Sequence, residues 1–168
     1  MKKLLIICFI LFLFCPFALS EEVEKEVFTS GDYEYILLDD GTAEITNYKY
    51  YYQYDNFNVV IPSTLDGHRV TAIGDYAFEK RDNLSSIVIP NDICIIGANL
   101  FLGNHYSLNI IVSPDHPTLE VLDGALLCKT DGRLVYYPDT LDKREYTIPE
   151  GVKKLERRHF MPVQVYPA

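Results

Sequence analysis

The feature that most constrains this chain is a repeat with a period of 23 residues. Ile61-Pro62 leads to Val70-Thr71-Ala72-Ile73-Gly74 and then Tyr76-Ala77-Phe78, while Ile89-Pro90 leads to Ile93-Cys94-Ile95-Ile96-Gly97 and then Leu100-Phe101; Ile73 to Ile96 and Phe78 to Phe101 are each 23 residues apart. A unit of this size cannot bury its own apolar face and does so only by stacking on a neighbouring unit. The chain is therefore expected to be a solenoid. Leu84, Ile87 and Ile89 predict a bend and short strand that send side chains into a common core, and Pro90 stops the strand because proline donates no ladder hydrogen bond. Equivalent strands are expected to end at Ile61-Pro62, Ser113-Pro114 and Ile148-Pro149. A second apolar spacing follows at Val70/Ile73, Ile93/Ile96 and Val152/Leu155. Glycine then permits a sharp turn into a short helical segment whose Phe78, Phe101 or Phe160 plugs the core. Two short strands and a helical turn per unit make a β-rich α/β solenoid, with residues 57–160 as the repeats.

The first residues carry an address. Lys2 and Lys3, the apolar run from Leu4 to Phe14 and the small-residue site Ala18-Leu19-Ser20 read as a signal peptide over residues 1–20, cleaved after Ser20. The apolar run of 11 residues is too short to cross a bilayer core about 30 Å thick as a helix, so no membrane insertion of the mature chain is expected. Cys15 follows Phe14 rather than a small residue, which argues against a lipid anchor. The expected location is secreted or at the cell surface.

The remaining 148 residues suffice for one domain. They keep two cysteines, Cys94 and Cys128, too few for a disulfide framework, so the fold rests on its apolar core. The chain reads as holding two free thiols rather than one bridge. Loss of Lys2 and Lys3 takes the formal charge from -9 to -11. Such a surface repels phosphate backbones and anionic membranes, so nucleic acid is excluded as an expected partner.

In chain order, residues 21–30 read as an acidic linker. Within residues 31–56, Tyr33 to Leu38 and Ala43 to Thr46 flank Asp39-Asp40-Gly41-Thr42 and predict a hairpin that caps the first repeat. A segment with five tyrosines in seven residues follows, Tyr48 to Tyr54. Alternation cannot place every ring inside, so Tyr50, Tyr52 and Tyr54 become candidate contact residues. Residues 161–168 read as a C-terminal tail.

The pattern Ile-Pro-x-x-Val/Ile-x-x-Ile-Gly-x-x-Ala-Phe resembles the BspA-type leucine-rich repeat of secreted and cell-surface bacterial proteins. Ser30 to Tyr35 with Asp40 to Ile45, the Leu65-Asp66-Gly67-His68 insertion, and the run from His116-Pro117 through Asp123-Gly124 and Asp131-Gly132 to Tyr137-Pro138 are similar to further features of that family. The resemblance implies a short right-handed leucine-rich-repeat solenoid with a parallel sheet, an N-terminal capping hairpin and a hairpin inserted at about 116–138. It also implies adhesion or host interaction toward protein or glycan. The last repeat departs from the pattern at Leu155-Glu156 and His159. It therefore either caps the stack or leaves an open end for self-association.

No motif for catalysis stands out. The four histidines, at 68, 105, 116 and 159, lie on separate turns, and no nucleophile, metal-ligand or phosphate-loop pattern surrounds them. The Asp-Gly pairs at 40, 66, 123 and 131 fit turns better than calcium loops. No enzyme, cofactor or metal is expected, although a hydrolase built from distant residues would leave no motif. The expected contact surface is the outward position of the first strand in each repeat, Val60, Val88, Val112 and Thr147, flanked by Asn58, Ser86, Ile110 and Glu145. β-branched residues also suit strands for their own sake. A structural envelope component stacking on its own copies is the reading from a different functional class.

Overall fold

The computed structural model describes residues 25–49, 56–104, 108–137, 145–148, 152–155 and 164–167. Two parallel ladders run along the stack, as the two strand spacings require. In one, β4 (Phe57–Val60), β7 (Leu84–Ile89) and β9 (Asn109–Val112) lie side by side. In the other, β3 (Ala43–Tyr48), β6 (His68–Ile73) and β8 (Ile95–Ile96) do so, with Ile45, Ile73 and Ile96 in register. Leu84, Ile87 and Ile89 are all buried, as their spacing requires. So are Ile61, Val70, Ile73, Ile93 and Ile96, and this shared core is what each coil lacks alone.

The third side of each coil corrects an expectation. The segments around Phe78 and Phe101 are turns, and among the described residues there is no helix, so the solenoid is built from strands and turns. The reason lies in where the amides point. Ala77 N and Glu79 N bond back to Gly74 O and Tyr76 O within the turn, while Tyr76 N, Phe78 N and Lys80 N donate to Ala98 O, Leu100 O and Leu102 O of the next coil at 3.1, 3.1 and 2.8 Å. Left-handed φ angles at Tyr76 (59°), Lys80 (54°), Asn99 (52°) and Gly103 (78°) interrupt these segments and forbid a continuous helix. Stacking also aligns the aromatic plugs. Tyr48, Phe78, Phe101 and Tyr136 form a column with successive ring centroids 5.2, 6.0 and 5.3 Å apart.

At the N-terminus the structure holds more strand than the sequence suggests. β1 (Val27–Ser30) lies inside the expected linker and pairs antiparallel with β2 (Tyr33–Leu37), which pairs with β3. β3 is thus both the end of a cap and the first rung of the parallel ladder, where Ala43 and Ile45 are fully buried. β5 (Thr64–Leu65) forms a tight hairpin with β6 through Asp66 and Gly67, both at positive φ. That is the turn whose twist matches paired strands. The Asp66 carboxylate accepts bonds from Ser30 Oγ at 2.7 Å and Tyr35 Oη at 2.9 Å, tying this hairpin to the cap.

The expected inserted hairpin is a three-stranded meander. β10 (Leu119–Leu122) and β11 (Ala125–Cys128) turn through Asp123-Gly124, and β12 (Arg133–Tyr136) continues into a parallel pairing with β14 (Lys154–Leu155). Arg133 joins this sheet to the earlier ladder. Its buried guanidinium donates from Nη1 to Gly97 O at 3.0 Å and from Nη2 to Ile96 O at 2.5 Å, while Nε reaches Asp131 Oδ2 at 3.1 Å. Carbonyls at the edge of β8 are thereby satisfied by a side chain 36 and 37 residues away. Arg133→Met keeps the stem and removes these donors. It is expected to cost about 2–4 kcal/mol, since an unsatisfied buried acceptor costs about 1–3 kcal/mol. Chemical denaturation checks this, and a change below about 0.5 kcal/mol, the scale of an ordinary surface substitution, would show that Arg133 does not join the sheets.

Part of the expected tail is also a strand: β15 (Gln164–Pro167) pairs in parallel with β13 (Glu145–Ile148). The two described cysteines are free, Cys94 exposed and Cys128 buried. The four Asp-Gly pairs sit in turns, with Gly41, Gly67, Gly124 and Gly132 all at positive φ.

Candidate binding face

The β4–β7–β9 sheet presents two rows to solvent because strand side chains alternate faces. Val59, Ile87 and Ile110 stand opposite one another and point inward, all buried. Val60, Val88 and Ile111 form the outward row beside them, with Val60 67% and Ile111 43% exposed. A polar row runs alongside, Asn58, Ser86 and Asn109, in which Ser86 Oγ donates to Asn58 Oδ1 at 2.6 Å. Neighbouring members of each row are separated by the strand spacing of about 4.8 Å. The face therefore offers branched apolar side chains for contact next to amides and a hydroxyl for hydrogen bonding.

This arrangement keeps Val60 and Val88 and replaces Val112. Val112 pairs with Ile89, and Ile111 occupies the place opposite Val88. A shift of one residue exchanges the faces of a strand, so Ile110, expected to flank the outer row, is buried at 5% exposure and Asn109 takes the flank. Ser113 stands where Pro90 would, because this repeat carries one more residue before its proline. Thr147 lies on β13, whose described partner is β15, and is not paired to this sheet. Tyr50, Tyr52 and Tyr54, like Ser20, lie outside the described residues. In the other ladder, Cys94 and Ile95 are exposed, whereas Ala72 is buried in register between Glu44 and Ile95.

A concave feature elsewhere on the molecule was not anticipated. A groove of about 600 Å³ runs over Gly74 and Gly97, lined also by Glu44, Asp75, Asp131, Arg133 and Lys154. At its floor the coils meet closely, and a Cβ on Gly97 would lie 2.3 Å from Asp75 N. Asp75 Oδ1 bridges the two coils by accepting from Ala98 N at 2.6 Å. Burial pushes the Glu44 carboxyl above its usual range, Lys25 acts against this, and Asp75 adds to it. The lining spans residues 44 to 154, so no sequence window contains it; the glycine recurrence was its one visible trace.

Among the described residues no cluster of three or more His, Cys, Asp or Glu side chains is placed to hold a metal ion. His68 Nδ1 lies 3.0 Å from Gly41 O, and His116 is buried in a hydrogen-bonded turn. His105 and His159 lie outside the described residues. Among those described, no helix is long and apolar enough to cross a membrane.

Short coils, two parallel ladders and a column of core aromatics define a repeat protein of the solenoid class. More narrowly, the chain belongs to the family of the BspA type leucine rich repeat region, six copies of which match over residues 21–164. The match includes the N-terminal strands, consistent with β3 as a rung of the ladder. Among solved structures, the chain is similar to a leucine-rich repeat protein from Bacteroides capillosus, at 21% identity and a TM-score of 0.49, covering 84% of this chain and 98% of that one. It is also similar to the leucine rich repeat protein of T. pallidum, at 21% identity and a TM-score of 0.46, covering 77% of this chain and 64% of that one. A leucine rich cell surface protein from Faecalibacterium prausnitzii matches at 16% identity and a TM-score of 0.38, covering 77% of this chain and 66% of that one. The chain thus spans less than two thirds of the last two proteins. No curated protein sequence matches it.

Proposed function

We propose that this is a non-catalytic binding protein that works outside the cytoplasm, engaging a protein or glycan partner through the outer face of the β4–β7–β9 sheet. The observation that carries the reading is the row of Val60, Val88 and Ile111 beside Asn58, Ser86 and Asn109. A periodic apolar row left in solvent on a repeat fold is the kind of extended surface by which such proteins hold partners. The amide and hydroxyl row supplies groups suited to sugar hydroxyls or a peptide backbone. Export is supported by the signal-peptide pattern of residues 1–20, and the acidic surface by Asp and Glu outnumbering Lys and Arg, 24 to 15. The family's occurrence in secreted and surface proteins agrees with export.

Binding of the purified protein to arrayed glycans and arrayed extracellular proteins tests the reading. Val88→Asp and Ile111→Asp are each expected to weaken binding at least about 10-fold, the loss that follows when a central contact worth about 1.4 kcal/mol is removed. Val112→Asp would disturb the core instead, so Glu120→Ala on the exposed part of β10 is the control expected to leave binding unchanged. Binding that survives both face substitutions, or the absence of binding on both arrays, would contradict the proposal.

A further inference from the structure

His116 is fully buried, and both ring nitrogens are engaged. Nδ1 receives two backbone N–H groups, Thr118 N at 3.2 Å and Leu119 N at 3.0 Å. Amide nitrogens only donate, so Nδ1 is the bare acceptor, and Nε2 carries the proton it donates to Pro90 O at 3.1 Å. The same turn is held by Thr118 Oγ1 donating to Ile93 O at 3.0 Å, and by Lys129 Nζ donating to His116 O. These bonds fasten the start of the β10–β12 meander to the turn that follows β7.

We propose that His116 is an acid-sensitive latch, whose protonation opens the turn that ties the start of the meander to the second coil. A proton on Nδ1 would face two N–H donors with no acceptor between them, so the imidazolium does not fit the closed turn. The ring has to leave to be protonated, and Thr118 N and Leu119 N lose their acceptor when it does. The meander remains packed through Leu119, Leu126, Val135 and Tyr136, which belong to the shared core; the change is a local opening at its hinge.

The surrounding charges agree. Burial lowers the His116 pKa from its ordinary value; the bond to Pro90 opposes this, Lys129 lowers it further, and Asp115 opposes. Asp92, on the turn that faces the ring, is paired with Arg69 at 3.6 Å. With the closed-state pKa below the open-state value of about 6.5, the open form binds more protons, so closure is fully stable above about pH 6.5 and weakens as pH falls.

Amide hydrogen exchange at pH 7.5 and pH 5.0, corrected for the intrinsic exchange rate, tests the latch in the full protein. Opening at Thr118 and Leu119 is expected to rise up to about 30-fold at pH 5.0, the limit set by an open-state pKa near 6.5, while β7 and β11 amides stay unchanged. His116→Asn retains a short acceptor for the two amides but does not titrate in this range, and is expected to abolish the pH dependence. Equal pH dependence in both proteins would overturn the proposal. A second reading needs no variant: the His116 ring, followed by NMR in the unaltered protein, should hold a bare Nδ1 at neutral pH and titrate below 6.5. A midpoint at or above that value would also overturn it.

Discussion

Phe78→Ala is expected to destabilise the protein by about 3–5 kcal/mol, the range for deleting a buried aromatic ring from a packed core. Phe78 is fully buried and lies between Tyr48 and Phe101 in the aromatic column, with centroid separations of 5.2 and 6.0 Å. The ring is not a local plug. Its removal leaves a void shared by three coils, and the bonds from Phe78 N to Leu100 O and from Tyr48 N to Ala77 O hold the backbone where it is, so the gap cannot close by a simple shift. Against a total stability of about 5–15 kcal/mol for a domain, this loss would bring the stack close to unfolding. Urea denaturation measures it. A cost below about 1.5 kcal/mol, within the range of a volume-conserving core swap, would mean that the column does not hold the coils together.

Gly97→Ala is expected to be nearly as damaging, although it adds only one methyl group. A Cβ at Gly97 would lie 2.3 Å from Asp75 N and 2.4 Å from Gly74 C. Both are backbone atoms of the preceding coil and cannot swing aside as a flexible side chain would. The coils must separate, with the bonds from Gly97 N to Ile73 O and from Ala98 N to Asp75 strained together. About 3 kcal/mol or more is expected, at or beyond the upper end of ordinary overpacking. Gly41→Ala is the contrasting case. Nothing lies within 4 Å of its Cβ position, and only its φ of +78° resists substitution, a strain of about 1–2 kcal/mol. Thermal melts of the two variants check the order; if Gly41→Ala proved the more harmful, close contact between coils would not be what requires Gly97.

The repeat made the core legible. Isoleucines and phenylalanines at constant spacing, with prolines ending the strands, located the ladders and the buried positions of β7 because each is written into a single unit. What one unit does not contain was harder to read. The stretch Tyr76-Ala77-Phe78-Glu79-Lys80 has no local feature that rejects a helix. The deciding bonds run to residues 98–102 of the next coil. The outer face was half legible for a different reason. Asn109-Ile110-Ile111-Val112 carries three apolar residues in a row, so alternation does not choose which of them points out. The proline at 114 suggested the wrong register, and pairing with β7 decided it. Arg133 and His116 were opaque because their partners lie 36 and 26 residues away, beyond any pattern of neighbours.

The most direct test of the account is the accessibility of that face. Single cysteines at positions 60, 88, 111 and 112, placed in a Cys94→Ser background to remove the exposed native thiol, can be compared by their rates of reaction with a water-soluble thiol reagent. The account predicts fast labelling at 60 and 111 and slower labelling at 88 and 112. Faster reaction at 112 than at 111 would place the opposite face of β9 in solvent and contradict the proposed binding surface.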